Sequence, residues 1–498
     1  MWVVAAVETA ASALFFALGV RPNRSLYALT GPWQVLDRFY LQHHLWQSLF
    51  DLHVQPPLYN LLVGGYIAVG SGGAEFAMLA VNLLLGLVLV CSTYLLLVEL
   101  EVPVAPSAAL AAAVALAPST LLYESWEFYT FPTAALLSLA CYCGVRALGR
   151  GGLRPALGCA AAASGVVLLN STFQWPWLVV LLAPLAVKLR RSPRLVALAL
   201  SPLLVVGALY VKDAVVFGSD STSSMLGMNL SKTALLTAPP GLVSSLVSEH
   251  KLSPIALQPP FQPVSVYEPQ FVAPTTRRAP VLREVLKRDR VGPNLNNAAI
   301  VPISSVYLRA DLTFIAGHPL DYLASITRGV RLWLVPSEEY VFLDPNESRI
   351  APYVDFVDRY LLLQPTRWNG TGYTPPTPGA GQLSYGALLA DGLSLLGLPL
   401  LAWRSRERAR RWALFLIWVT IAYAFVLTSL VEYGENNRFR FDLGSLPLVG
   451  AVVVLAELLR RRAVRRAGEG HPAALSASSG TPGRARRPRG SRGGRACG

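Results

Sequence analysis

The chain has 498 residues, is 53% hydrophobic and 14% charged, and carries a formal net charge of +14. That balance excludes an ordinary soluble domain and points to a helical membrane protein, since several runs reach the roughly 20 apolar residues that a bilayer crossing needs. The charge does not call for nucleic acid: residues 460–498 hold eleven Arg against Glu469 alone, and supply +10 of the +14.

Apolar segments fall near 1–20, 76–100, 107–122, 130–148, 155–170, 174–188, 195–212, 383–402, 412–430 and 441–459. They predict an all-α, polytopic bundle of about ten spans. Segment 1–20 lacks a basic start and carries Glu8, so it reads as a retained span, with a signal anchor as the alternative. Basic clusters then set the sides: Arg146, Arg150 and Arg154; Lys188 to Arg194; Arg404 to Arg411; and Arg460 onward. All four should be cytoplasmic, which places 122–130, 170–174, 212–382 and 431–440 outside.

Parity then puts residues 21–75 outside as well, provided 56–71 lies on the membrane rather than crossing it. At about 16 residues, with Gly and Pro near its ends, that segment is short for a span. The stretch DRFYLQHHLWQSLFDLHVQPPLYNLL reads as an amphipathic hairpin, with Leu36, Phe39, Tyr40, Trp46, Leu49 and Phe50 on one apolar face. Four parts follow: an N-terminal membrane module 1–212, a Pro-rich outer segment 213–382 expected to be largely loop, C-terminal spans 383–459, and a disordered basic tail 460–498. Within the outer segment, 303–336 is the clearest amphipathic piece, and Arg328 and Arg331 argue against its crossing. Four of the five Cys lie in apolar runs, so no disulfide framework is implied. Cys141 and Cys143 point to different helix faces, against a shared metal.

Acids on the outer face are the informative residues: Asp37 and Asp51, Glu124 and Glu127 in YESWEFYTFP, and Glu432 and Glu435 in VEYGENNRFRFD. The three loops can converge in a bundle. A partly dry carboxylate can take a proton from a hydroxyl. Arg438 and Arg440 could clamp a phosphate, with Asn436 and Asn437 as neutral donors. The bland readings are solvated loop acids, snorkelling arginines, a turn-anchoring His53 and an inter-helix hydrogen bond from Asn170.

HVQPPLYNLL resembles the His-Pro-Pro-Leu-Tyr signature of polyprenyl-phosphate-dependent membrane glycosyltransferases of the GT-C type. That superfamily includes the protein O-mannosyltransferases and aminoarabinose transferases. The signature here carries Val54 and Gln55 as inserted residues, and Asp37-Arg38 stands where an Asp-Glu pair is common. The resemblance covers about residues 1–200. It implies Asp37 as the catalytic acid of the first loop, Glu124 or Glu127 as the second, and His53, Gln55 and Tyr59 as substrate contacts. The expected function is transfer of a sugar from a lipid-phosphate carrier to an acceptor glycan, lipid or protein at the extracytoplasmic face of the cell membrane. No cofactor is demanded; a divalent metal ion is the one candidate. The rival is a transporter or lipid flippase, disfavoured because mid-span ionisable residues look scarce, Asp391 being one of few. A non-catalytic envelope scaffold is the third reading.

Overall fold

The computed structural model describes residues 1–22, 30–32, 34–190, 192–272, 279–288, 292–370 and 375–469. The described residues are all-helical, with 72% in helices and no strand. The tail beyond 469, Arg24 and most of the PTTRRAP stretch lie outside them.

Every segment expected to be apolar and spanning forms helix. Among the described residues, five helices are long and apolar enough to cross a membrane: Gly73–Glu99, Thr130–Gly149, Ile300–Gly317, Tyr385–Arg404 and Arg408–Val431. Three bent pairs raise the number to eight if each pair is one span. They are Val104–Leu116 with Pro118–Glu124 (52°), Pro193–Leu200 with Leu203–Phe217 (59°), and Asn436–Asp442 with Leu446–Val464 (66°). The first break has a local cause. Ala117 precedes Pro118 and is extended (φ −61°, ψ 132°), because the proline ring disfavours helical geometry in the residue before it. Trp2–Ala17, Leu153–Leu169 and Trp175–Leu189 are apolar but shorter.

The outer segment departs from expectation. Several of its prolines start helical turns, as at Pro254, Pro269, Pro280 and Pro319. The amphipathic piece 303–336 is broken at His318 into Ile300–Gly317 and Pro319–Trp333. The first half passes the length and composition test for a span, whereas Arg328 and Arg331 lie in the second. The first-loop stretch also breaks, at His44 (φ −138°, ψ 36°), into Arg38–His43 and Leu45–Phe50. The break turns Trp46 and Phe50 outward, while Leu36, Tyr40 and Leu49 enter a core shared with Met228, Leu282 and Tyr307.

Segments 122–130 and 431–440 meet through Thr130 and Arg438, and 170–174 meets 212–382 through Gln174 and Thr222. Elsewhere, Arg146 and Arg150 pair with Glu99. The chain divides into two compact units at residue 454, and in the second Glu457 bonds Arg460 and Arg461.

Helix Leu226–Ala234 lies against Ile300–Gly317 at Gly227, where a methyl group would collide with the Ser304 carbonyl and the Leu308 backbone nitrogen. Backbone cannot swing aside, so Gly227→Ala should cost about 1–3 kcal/mol. A thermal midpoint equal to wild type in detergent would show that the helices do not approach this closely.

Candidate functional site

Segments 122–130 and 431–440 meet at Arg438. Its side chain is 1% exposed and lies in the short helix Asn436–Asp442. One terminal nitrogen donates to Thr130 Oγ1 (3.1 Å) and the other to Glu435 Oε2 (2.6 Å). The guanidinium carbon sits over the rings of Phe439 (4.1 Å), Phe128 (5.3 Å), Tyr129 (5.4 Å) and Tyr340 (5.9 Å). A planar, weakly hydrated cation suits such an aromatic cage, where an ammonium would not. Tyr340 also donates to Glu435 Oε1 (2.8 Å). Beside this cage the outer segment contributes Lys232, which pairs with Glu432. Burial lifts the Glu432 carboxyl above its ordinary range despite Lys232, whereas Arg438 and Lys232 outweigh burial and hold Glu435 below its own.

Arg440 does not join Arg438. Two residues apart on a helix, the side chains diverge, and Arg440 turns to Asp391 (3.4 Å) and the Val335 carbonyl (3.4 Å). Trp333 Nε1 donates to the same Asp391 (2.9 Å). The expected two-arginine clamp is therefore not assembled. Asn436 and Asn437 are also committed to backbone, Asn436 to the Thr428 and Glu432 carbonyls and Asn437 to those of Pro336 and Glu339.

Glu124 and Glu127 lie on the same loop as Thr130 but differ in surroundings. Both carboxylate oxygens of Glu124 accept the Ser12 hydroxyl (3.0 Å each). Glu127 accepts from Asn82 Nδ2 (2.8 Å), which also donates to the Glu124 carbonyl (2.8 Å), and Tyr59 donates to the Glu127 carbonyl (2.6 Å). Burial pushes the Glu127 carboxyl up to about 7, with the Asn82 bond opposing part of that rise. A carboxyl that exchanges its proton near neutral pH is suited to general-base work.

The first-loop residues are placed otherwise. Asp37 caps helix Arg38–His43, its Oδ1 accepting from Phe39 N (2.7 Å) and its Oδ2 from Arg288 N (2.5 Å). Capping with one oxygen and tying a distant backbone N–H with the other is a positioning task. His53 is 2% exposed; its Nδ1 meets Ser224 Oγ (2.7 Å) and its Nε2 the Asn296 carbonyl (3.1 Å). Burial and then nearby Lys212 depress its proton affinity to about 3, against the Asn296 bond, so it is a neutral loop anchor. Its expected role as a substrate contact does not fit that burial. Gln55 is 3% exposed, and its Oε1 meets no donor among the described residues. Asp51 is buried as well, and its carbonyl accepts from Asn296.

Sequence reading missed Lys232, Asn82, Tyr340, Thr130 and Asp442 as partners. Asn82 had a signal, being a lone amide in an apolar run; Lys232 had none, because its mate lies 200 residues away. Asn170 does make an inter-helix bond, to Asp442 Oδ2 (2.8 Å). Buried acids in apolar helices are also commoner than expected. Glu8, Asp213 and Asp311 join Asp391, and no donor among the described residues reaches either oxygen of Glu8. Among the described residues no group of three His, Cys, Asp or Glu side chains could hold a metal ion. Glu124 and Glu127 turn to separate partners, so they do not fit as a metal pair and no step is routed through one. No protein-family model matches the chain, and no curated protein matches it either.

Proposed function

We propose that the chain is an integral membrane glycosyltransferase that crosses the bilayer about ten times. It would move a sugar from a polyprenyl-phosphate carrier to an acceptor hydroxyl at the extracytoplasmic face. The observation that carries this reading is the joining, through residues 127–130, of a buried carboxyl of near-neutral proton affinity to a buried guanidinium. In the step, Glu127 takes the acceptor's hydroxyl proton as that oxygen bonds the anomeric carbon. The bond from that carbon to the carrier oxygen breaks, and the phosphate leaves with the electron pair. A cavity of about 120 Å³ lies where two bent helix pairs meet, lined by Arg440, Ser119, Thr120 and Ser445 among others. Arg440 is the guanidinium that faces this space, so it is the residue assigned to the departing charge. Arg438 stays with Glu435 and holds the base-bearing loop.

The test uses the purified chain in proteoliposomes with radiolabelled polyprenyl-phosphate sugars and a cell-envelope extract. Wild type should move label from lipid to acceptor. Asp37→Asn should keep most of that activity, because Asn caps a helix as well as Asp does. Failure of every donor to lose its sugar, in a folded preparation, sinks the reading.

The orphaned Glu8 and the bends favour one second reading, a transporter or flippase, since buried mid-span charge and broken helices mark transport paths. In the same vesicles that protein would carry the labelled lipid across with its sugar bond intact.

A further inference from the structure

Helix Ala351–Tyr360 of the outer segment has two unlike faces. Val354, Val357 and Asp358 are buried. Phe356 and Tyr360 stand on the other side, with ring centroids 5.3 Å apart. Leu361 and Leu363 follow them, and all four side chains are 54–64% exposed. Single exposed apolar side chains are ordinary, but a cluster on one helix and its exit is a patch that calls for a partner. Leu363 also has a left-handed backbone (φ 53°). Glycine adopts that conformation freely and leucine only at a cost, yet the exit turn carries an exposed leucine there.

Contacts with neighbouring helices fix where this one lies. The Tyr353 ring sits 5.5 Å from that of Phe15, just before the end of Trp2–Ala17. Its hydroxyl donates to the Leu116 carbonyl, at the break between Val104–Leu116 and Pro118–Glu124. At the other end, the Leu362 carbonyl accepts from Ser384 Oγ (2.9 Å) and from Gly386 N (2.9 Å). A methyl group on Gly386 would come within 3.1 Å of the Leu362 backbone and 3.2 Å of the Leu361 carbonyl. The exit turn therefore rests on the first turn of Tyr385–Arg404, a helix long and apolar enough to cross a membrane. Tyr385, Leu388 and Leu389 in its first turns are exposed too, as are Leu396, Leu400 and Trp403 further along. In a helix that crosses a bilayer, such side chains face lipid. The patch is joined to that lipid-facing side through Leu362, and Arg359 is exposed in the last turn beside it.

We propose that residues 351–363 are a membrane-surface anchor, which seats Phe356, Tyr360, Leu361 and Leu363 in the outer leaflet of the bilayer. Arg359 then reaches the lipid phosphates, while its aliphatic stem lies along the apolar boundary. Aromatic rings suit this depth, where hydrocarbon gives way to headgroups. The proposal rests on Tyr385–Arg404 crossing the membrane with its first turn at the outer side, and not on the transferase reading.

The experiment attaches bimane, a fluorophore, to single cysteines of the full-length protein in phosphatidylcholine nanodiscs. Phe356→Cys and Leu363→Cys report the patch. Lys251→Cys reports water, being a charged surface position of the same outer segment (side chain 64% exposed). All three are made in a Cys497→Ser chain, and that chain carried through the same labelling supplies the blank. The quenchers are iodide in the buffer and a nitroxide carried high on the lipid chain. At both patch positions iodide quenching should be roughly threefold or more weaker than at Lys251→Cys, and nitroxide quenching stronger by a similar factor. Either position suffices should the other variant misfold. Iodide quenching equal to that at Lys251→Cys overturns the proposal, because the patch then faces water. Protection from both quenchers overturns it as well, because another protein chain then covers the patch.

Discussion

Glu127→Gln should lower sugar transfer by roughly 10²- to 10⁴-fold at neutral pH, the usual contribution of a positioned general base. Wild-type turnover should rise with pH through a limb near 7, because the base must be ionised and its carboxyl is pushed up to about 7 by burial. In Glu127→Gln that limb should vanish. Stability gives an independent reading. The folded carboxyl keeps its proton to a higher pH than the unfolded one, whose ordinary value is 4.5. The stabilisation is therefore complete below about 4.5 and is lost as pH rises through about 7. The span of about 2.5 pH units corresponds to ~3 kcal/mol. Thermal midpoints of wild type should decline across that window, and those of Glu127→Gln should decline less. Glu124→Gln should leave the limb in place: burial pushes its carboxyl up to about 7 as well, but it is residues 127–130 that join Arg438, while both Glu124 oxygens accept from Ser12. A Glu127→Gln protein that turns over at the wild-type rate would remove this residue from the reaction.

Arg438→Met should be the most destabilising single change at the site. It empties a cage of four rings, strands the Thr130 hydroxyl and leaves Glu435 without its guanidinium. Breaking a buried pair on one side typically costs about 3–5 kcal/mol. The Glu435 side chain keeps 30% of its exposure, so water softens the loss and the lower end, about 3 kcal/mol, is expected here. Glu435→Gln added to Arg438→Met should recover part of that cost, because the stranded charge disappears with it. Arg438→Lys should fall between wild type and Met, keeping the charge but losing the fork that reaches Thr130 and Glu435 together. The measure is thermal unfolding in detergent for wild type, these three variants and Glu435→Gln alone. Strictly additive losses would show that the two side chains do not depend on each other.

Much of the architecture was readable before any coordinates. Apolar run lengths marked the helices, and basic clusters divide the loops into two expected sets. Both follow from local composition, which burial in lipid and headgroup charge act on segment by segment. Bends were less legible. Pro118 announces one, but nothing local told Ile300–Gly317 from a surface helix, since a run of modest hydropathy suits either setting.

The site divides the same way. Chain composition alone named the acids and arginines of the outer loops, because charge in so apolar a protein is rare enough to stand out. Which of them act together was decided by long-range packing. Asp37 looked catalytic and His53 looked like a substrate contact, yet their polar atoms are spent on Phe39, Arg288, Ser224 and Asn296, partners up to 251 residues away. Arg438 and Arg440 looked like one clamp, yet a spacing of two residues, little more than half a helical turn, sends one to Glu435 and the other to Asp391. Hydropathy is a property of each segment and survives without a fold; the partner of a buried charge is a property of the assembled bundle, and arises only when distant helices close around it.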